Sequence, residues 1–129
     1  MTKSFGEFDR PAIYANFEKA FKLEWLPLDI LHVPEEYQRD LNDKRVERIA
    51  EDLNPFSVGS LLAVKRGGKD GGYFLIDGEH RKGALYIRGF THWHCLVIQK
   101  SLTPSEEADI WHHCNKNRQN VTALQHIRS

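Results

Sequence analysis

Hydrophobic positions recur along this chain with two periods, and the changes of period mark its elements. Ile13, Phe17 and Phe21, joined by Ala20, recur four residues apart. They predict a peripheral helix over residues 7–23, with Pro11 in its first turn. The apolar run at residues 25–33 reads as the first strand, and Pro27 places its start at a sheet edge. A polar loop follows. Asn42 or Asp43 then caps a helix with Val46, Ile49, Ala50 and Leu53 on one face, and Asn54-Pro55 ends it.

Residues 60–66 and 73–76 read as two strands joined by a glycine-rich turn, a hairpin with a long loop. A helix opens at Glu79 and closes near Gly89, a C′ glycine. Residues 92–99 form a fourth strand. Thr103, Pro104 and Glu106 make a capping box with proline at the first helical position. That helix is expected to reach about Asn115, and another to start after Asn120, near residues 122–127. Its abrupt stop suggests a piece of a longer protein or a short phage-encoded one. The order α, β, α, β, β, α, β, α predicts an α/β (α+β) fold, a small mixed sheet flanked by helices. Residues 1–24 are expected to be peripheral, and residues 25–129 to form one domain.

A chain of 129 residues with 40% hydrophobic and 28% charged residues can bury a core. Its formal net charge is zero, so attraction to nucleic acid must come from local clustering. No apolar run approaches the roughly 18 residues of a membrane span, and the first residues lack a signal-peptide core. The expected location is cytoplasmic, with no membrane partner. Cys95 and Cys114 are expected as free thiols.

The chemistry concentrates where the strand at 73–76 runs into Asp77-Gly78-Glu79-His80-Arg81. A helix start there offers backbone donors and partial positive charge to an anion. Gly78 lets a phosphate come close to the backbone, Arg81 supplies a fork of donors, and His80 supplies an imidazole. The competing reading is an ordinary βα turn. Glu79 can hold a metal or a water, or only complement the helix dipole. Asp77 can bind metal, or only form an Asx turn. Lys44, Arg45 and Arg48 alternate with Asp43, Glu47, Glu51 and Asp52, which reads as a mixed charged surface. His92, His94 and Cys95, like His112, His113 and Cys114, diverge on their elements and make a poor zinc set.

Tyr37-Gln38-Arg39, a helix, the strand at 61–64 and then Asp77-Gly78-Glu79-His80-Arg81 resemble the N-terminal domain of ParB and its relatives, over about residues 25–120. That superfamily also holds sulfiredoxins, an archaeal free-serine kinase and the ParB-like nucleases of phages and plasmids. Glu79 stands where a sulfiredoxin has its catalytic Cys, so thiolate chemistry is not expected. The resemblance implies a pocket for nucleotide or nucleic-acid phosphate formed by Gly78, Glu79, His80, Arg81, Arg39, Asn117 and Arg118. It implies a nucleoside triphosphate (CTP or ATP) and Mg²⁺ as cofactors, with Asp77 and Glu79 at the metal. If the chain is catalytic, a nucleotide hydrolase or Mg²⁺-dependent nuclease would use Asp77, Glu79 and His80. A serine-type kinase would use Glu36 as general base. The other class is a non-catalytic regulatory module. Nucleotide and DNA are the implied partners, and a homodimer stays open.

Overall fold

A computed structural model describes residues 19–35, 42–67 and 71–128, with side chains as far as residue 116. The strands are β1 (Phe21–Pro27), β2 (Leu31–His32), β3 (Leu61–Arg66), β4 (Gly72–Asp77) and β5 (His92–Ile98). The helices are α1 (Asp43–Glu51), α2 (Glu79–Ile87) and α3 (Pro104–Arg128). The strands form one mixed sheet in the order β1-β5-β3-β4-β2. β1 pairs antiparallel with β5, and β3 with β4; β3 runs parallel to β5, and β2 to β4. The expected α+β class and the β3–β4 hairpin are therefore present.

Three expectations are corrected. The helix over 7–23 does not extend to its predicted end: Phe21, Lys22 and Leu23 belong to β1, paired with Ile98, Val97 and Leu96 of β5. Its earlier part lies outside the described residues. The strand at 25–33 is two strands on opposite sheet edges, separated by a 3-10 turn at Leu28–Ile30. The Leu28 N–H donates to the Thr91 carbonyl at 2.8 Å and fixes that turn. Apolar residues continue across the break, despite Asp29 and His32, because Leu28 and Leu31 are both buried, in the turn and in β2 alike. Finally, α3 continues through residues 115–121 to Arg128 as one helix. That stretch has no glycine or proline to stop it.

Helix ends follow local chemistry. The Asn42 side chain caps α1, with Oδ1 accepting from the Arg45 N–H at 3.2 Å. Thr103 and Glu106 form the reciprocal capping box of α3, at 3.0 and 3.2 Å. Gly89 follows α2 with φ +87°, a left-handed C′ position.

The sheet separates two packed layers. On one face, Leu26, Leu28, Leu31, Leu61, Ala63, Leu75, Trp93, Cys95 and Val97 meet Leu85 of α2. α1 lies over α2 through Val46, Ala50 and Ala84. A Cβ on Gly83 would stand 3.0 Å from Val46 Cγ1, so glycine there lets the helices approach closely. On the other face, Val64, Ile76 and Ile98 pack with Leu102, Ile110 and Trp111. Glu107 of α3 reaches that interface and forms a two-pronged ion pair with Arg66.

Candidate functional site

β4 carries the chain to Asp77, and Gly78 turns it into α2. Gly78 has φ +108°, a region that side chains rarely adopt. A Cβ there would lie 2.5 Å from Leu61 Cδ2 and 3.1 Å from Arg81 Nη2. The space a side chain would need is filled by the protein itself, so this glycine has a structural reason as well as the predicted functional one. The first bond of α2 runs from the Lys82 N–H to the Gly78 carbonyl, at 2.8 Å. As a glycine, Gly78 offers this helix no capping side chain, unlike Asn42 at α1 and Thr103 at α3.

Arg81 was expected to clamp phosphate. Its Nη1 donates to the carbonyls of Val58 and Ser60, at 2.8 and 3.2 Å, and Nη2 donates to Asp77 Oδ2 at 3.3 Å. One guanidinium thus ties the approach to β3, the end of β4 and the first turn of α2. Trp93 Nε1 reinforces the same segment by donating to the Gly59 carbonyl at 2.8 Å. His80 Nε2 accepts from the backbone N–H of Asn42 at 3.4 Å, which joins the N-termini of α1 and α2. That bond requires an unprotonated Nε2.

An open groove of about 680 Å³ lies between α1, the turn at Pro55–Ser57 and the start of α2. Ile49, Leu53 and Val58 supply apolar surface, while Arg45, Arg48, Arg81 and His80 supply donors. Glu51 and Asp52 also line it, so three guanidiniums stand against two carboxylates. Beside the groove, burial pushes the Glu79 carboxyl above the ordinary range, opposed by the Lys82 charge. Burial lowers Lys82, whose Nζ donates to the Leu31 carbonyl at 2.8 Å, while Asp29 and Glu79 act in the other direction.

Asp77, Gly78, Glu79, His80 and Arg81 come together at this junction, as their spacing requires. Glu36 and Arg39 lie outside the described residues. Asn117 and Arg118 fall on α3 beyond the described side chains, on the helix that covers the opposite face of the sheet. Arg45 and Arg48, read from sequence as ordinary surface charge, line the groove. Their i, i+3 spacing on a capped helix was the available signal. Among the described residues, no group of three or more His, Cys, Asp or Glu side chains stands close enough to hold a metal ion. Cys95 is buried in the sheet, with its thiol pushed up to about 11 by burial first and by the nearby Glu24 charge second. No helix among the described residues is long and apolar enough to cross a membrane.

No protein-family model matches the sequence, and no curated protein does. Solved structures do share the fold. The C-terminally truncated chromosome-partitioning protein ParB from Caulobacter crescentus, complexed with CTP-gamma-S, aligns at 19% identity with a TM-score of 0.57. The alignment covers 73% of this chain and 52% of that one. The same Caulobacter protein complexed to the centromeric parS site aligns at 20% identity and TM-score 0.50, over 68% of this chain and 44% of that one. A Pnob8-like ParB-N domain aligns at 22% identity and TM-score 0.50, over 70% of this chain and 34% of that one. This chain therefore spans about half or less of the length of the ParB chains it matches. The mixed five-stranded sheet, with two helices on one face and one on the other, has the ParB/sulfiredoxin-like fold.

Proposed function

We propose that this chain is a ParB-like domain that binds a nucleotide through its phosphates, in the groove between α1 and the first turn of α2. One juxtaposition carries the reading. The glycine-capped start of α2 opens beside Arg45, Arg48 and His80, over an apolar floor of Ile49, Leu53 and Val58. Helix N-termini and guanidiniums attract phosphate oxygens, and apolar surface accepts a nucleoside. The Caulobacter ParB of like fold is complexed with CTP-gamma-S, which supports a nucleoside triphosphate such as CTP or ATP as the ligand class.

The roles differ from those expected of the motif alone. Arg81 shapes the site by holding Val58, Ser60 and Asp77 in place, and Arg45 and Arg48 are the cations set to meet phosphate. His80 holds the start of α1 to the start of α2 through its bond from the Asn42 N–H. Asp77 fits poorly as a ligand for Mg²⁺, because the Arg81 guanidinium faces the same carboxylate. Glu79 is the remaining carboxylate of the motif that could hold Mg²⁺ beside a bound nucleotide.

DNA backbone phosphate is the second ligand for the same donors, and the Caulobacter protein is also complexed to parS. Zero net charge gives no long-range attraction to a polyanion, which favours the small ligand. A thermal-shift panel of CTP, ATP, GTP and UTP with Mg²⁺ tests the reading, with Arg48→Ala as the control. A nucleotide well above its Kd stabilises by about 2–4 kcal/mol. The expected result is a shift with at least one nucleotide that Arg48→Ala removes while leaving the unliganded midpoint unchanged. No shift with any of the four contradicts the reading.

A further inference from the structure

We propose that β1 is a dimerisation edge, pairing antiparallel with the β1 strand of a second copy of this chain about a twofold axis at Leu23. β1 and β2 are the edges of the sheet. β2 has two residues, whereas β1 has seven and, among the described residues, pairs on one side only, with β5. A long edge strand presents a row of backbone N–H and C=O groups to any strand that can match it. Short length, charge and proline are the usual protections, and in β1 proline comes only at the last residue, Pro27. Its apolar side chains are open as well. Leu23, beside Leu96 of β5, is 61% exposed, and Trp25, beside His94, is 55% exposed. The Trp25 ring meets the His94 ring edge-to-face, with centroids 4.6 Å apart, so it is held in place while it stays open to solvent.

The sequence of β1 selects both the partner and the register. Alternate strand residues share a face. Leu26 belongs to the core beneath α2, which places Lys22 and Glu24 on that face and Phe21, Leu23 and Trp25 on the other. Directly opposed residues of an antiparallel pair also share a face. An axis at Leu23 therefore sets Lys22 against the partner's Glu24 and Phe21 against the partner's Trp25, each twice, with Leu23 against the partner's Leu23. Opposite charges and aromatic pairs at such positions stabilise a sheet. An axis at Glu24 opposes two carboxylates, and one at Lys22 opposes two ammoniums, both of which destabilise. Among axes within the strand, only the one at Leu23 matches Lys22 with Glu24. The strand is complementary to itself in that register, as a twofold interface requires, and the pairing joins two five-stranded sheets into one.

Analytical ultracentrifugation of the chain over a concentration series up to about 1 mM reads the monomer–dimer equilibrium. The wild type is expected to dimerise. Lys22→Glu and Glu24→Lys should each raise the dimer Kd by roughly tenfold or more, and the variant carrying both should recover it, because the pair is rebuilt with its signs exchanged. Glu24 Oε1 also accepts from the Tyr73 hydroxyl at 3.3 Å, so thermal melts accompany the series to separate a folding defect from lost association. Leu23→Cys, made with Cys114→Ser, supplies a test without charge reversal. Opposed strand residues lie within disulfide reach, so this variant should crosslink to its copy on oxidation, while Lys22→Cys in the same background should not. A wild-type monomer throughout, with the edge bare or covered by another part of this chain, contradicts the proposal. So does a double variant no tighter than the single ones, or crosslinking at Lys22→Cys in preference to Leu23→Cys.

Discussion

Arg66 and Glu107 join β3 to α3 through two parallel hydrogen bonds, Nε to Oε2 at 3.0 Å and Nη2 to Oε1 at 2.7 Å. The Glu107 side chain is 3% exposed and the Arg66 side chain 31%. Arg66 also stacks over Phe74, with Cζ 3.9 Å from the ring centroid. Breaking a buried pair from one side costs about 3–5 kcal/mol. Arg66 keeps some water contact, so Glu107→Ala is expected to cost less than that, about 2–3 kcal/mol, with a midpoint lower by roughly 10 °C. Replacing both residues, as Arg66→Met with Glu107→Leu, should cost less than Glu107→Ala alone, because no charge is left stranded. Urea denaturation of the three proteins checks this. A double variant less stable than Glu107→Ala would contradict it.

Gly78 and Gly89 both have positive φ, yet their alanine variants should differ. A Cβ at Gly89 meets nothing within 4 Å, whereas one at Gly78 runs into Leu61. Gly89→Ala is expected to cost about 1–2 kcal/mol from the left-handed backbone alone. Gly78→Ala carries the same strain plus a displaced core side chain, and should cost at least about 1 kcal/mol more. Equal losses in thermal or urea denaturation would show that Leu61 yields freely.

The Arg81 geometry separates structure from ligand contact. Arg81→Ala removes donors from two carbonyls and one carboxylate, and should destabilise the fold by about 2–3 kcal/mol. Arg48→Ala, on an exposed helix face, should stay within about 0.5 kcal/mol of the wild type and lose ligand affinity instead. An Arg81→Ala protein as stable as the wild type would overturn the structural role assigned here.

Glu79 gives a pH-dependent prediction. Burial raises its carboxyl in the folded state, so folding favours the neutral form, and stability falls as pH rises through the folded value. Glu79→Gln removes that penalty. The variant is therefore expected to be more stable than the wild type at pH 7. The advantage should vanish below the unfolded carboxylate value of about 4.3, where both side chains are neutral. Urea denaturation at pH 7 and pH 4 measures it. A Gln variant less stable at pH 7 would mean that attraction to Lys82 and to the helix N-terminus outweighs burial.

Much of the fold was legible where local chemistry decides it. Asn42, Thr103 with Glu106, and Gly89 mark helix ends through side-chain caps and a left-handed turn, and all three hold in the structure. Phe21 and Leu28 misled for a common reason: apolar spacing reports burial, and both a strand and a turn bury side chains at helix-like or strand-like intervals. The site was legible as a location and less so as roles. Nothing in the residues 77–81 shows that the Arg81 guanidinium would meet the carbonyls of Val58 and Ser60, which arrive from the loop before β3. Likewise Arg45 and Arg48 become part of a groove only when α1 folds against α2 at Gly83 and Val46.

The central claim is that nucleotide phosphates sit at the start of α2. Amide chemical-shift mapping with CTP or ATP and Mg²⁺ tests it most directly. The account predicts a compact set of perturbed amides at Glu79, His80 and Arg81, with Asn42, Arg45 and Arg48 across the groove. Perturbations centred instead on the opposite face of the sheet, at Ile110 and Trp111 of α3, or no perturbation at saturating nucleotide, would contradict it.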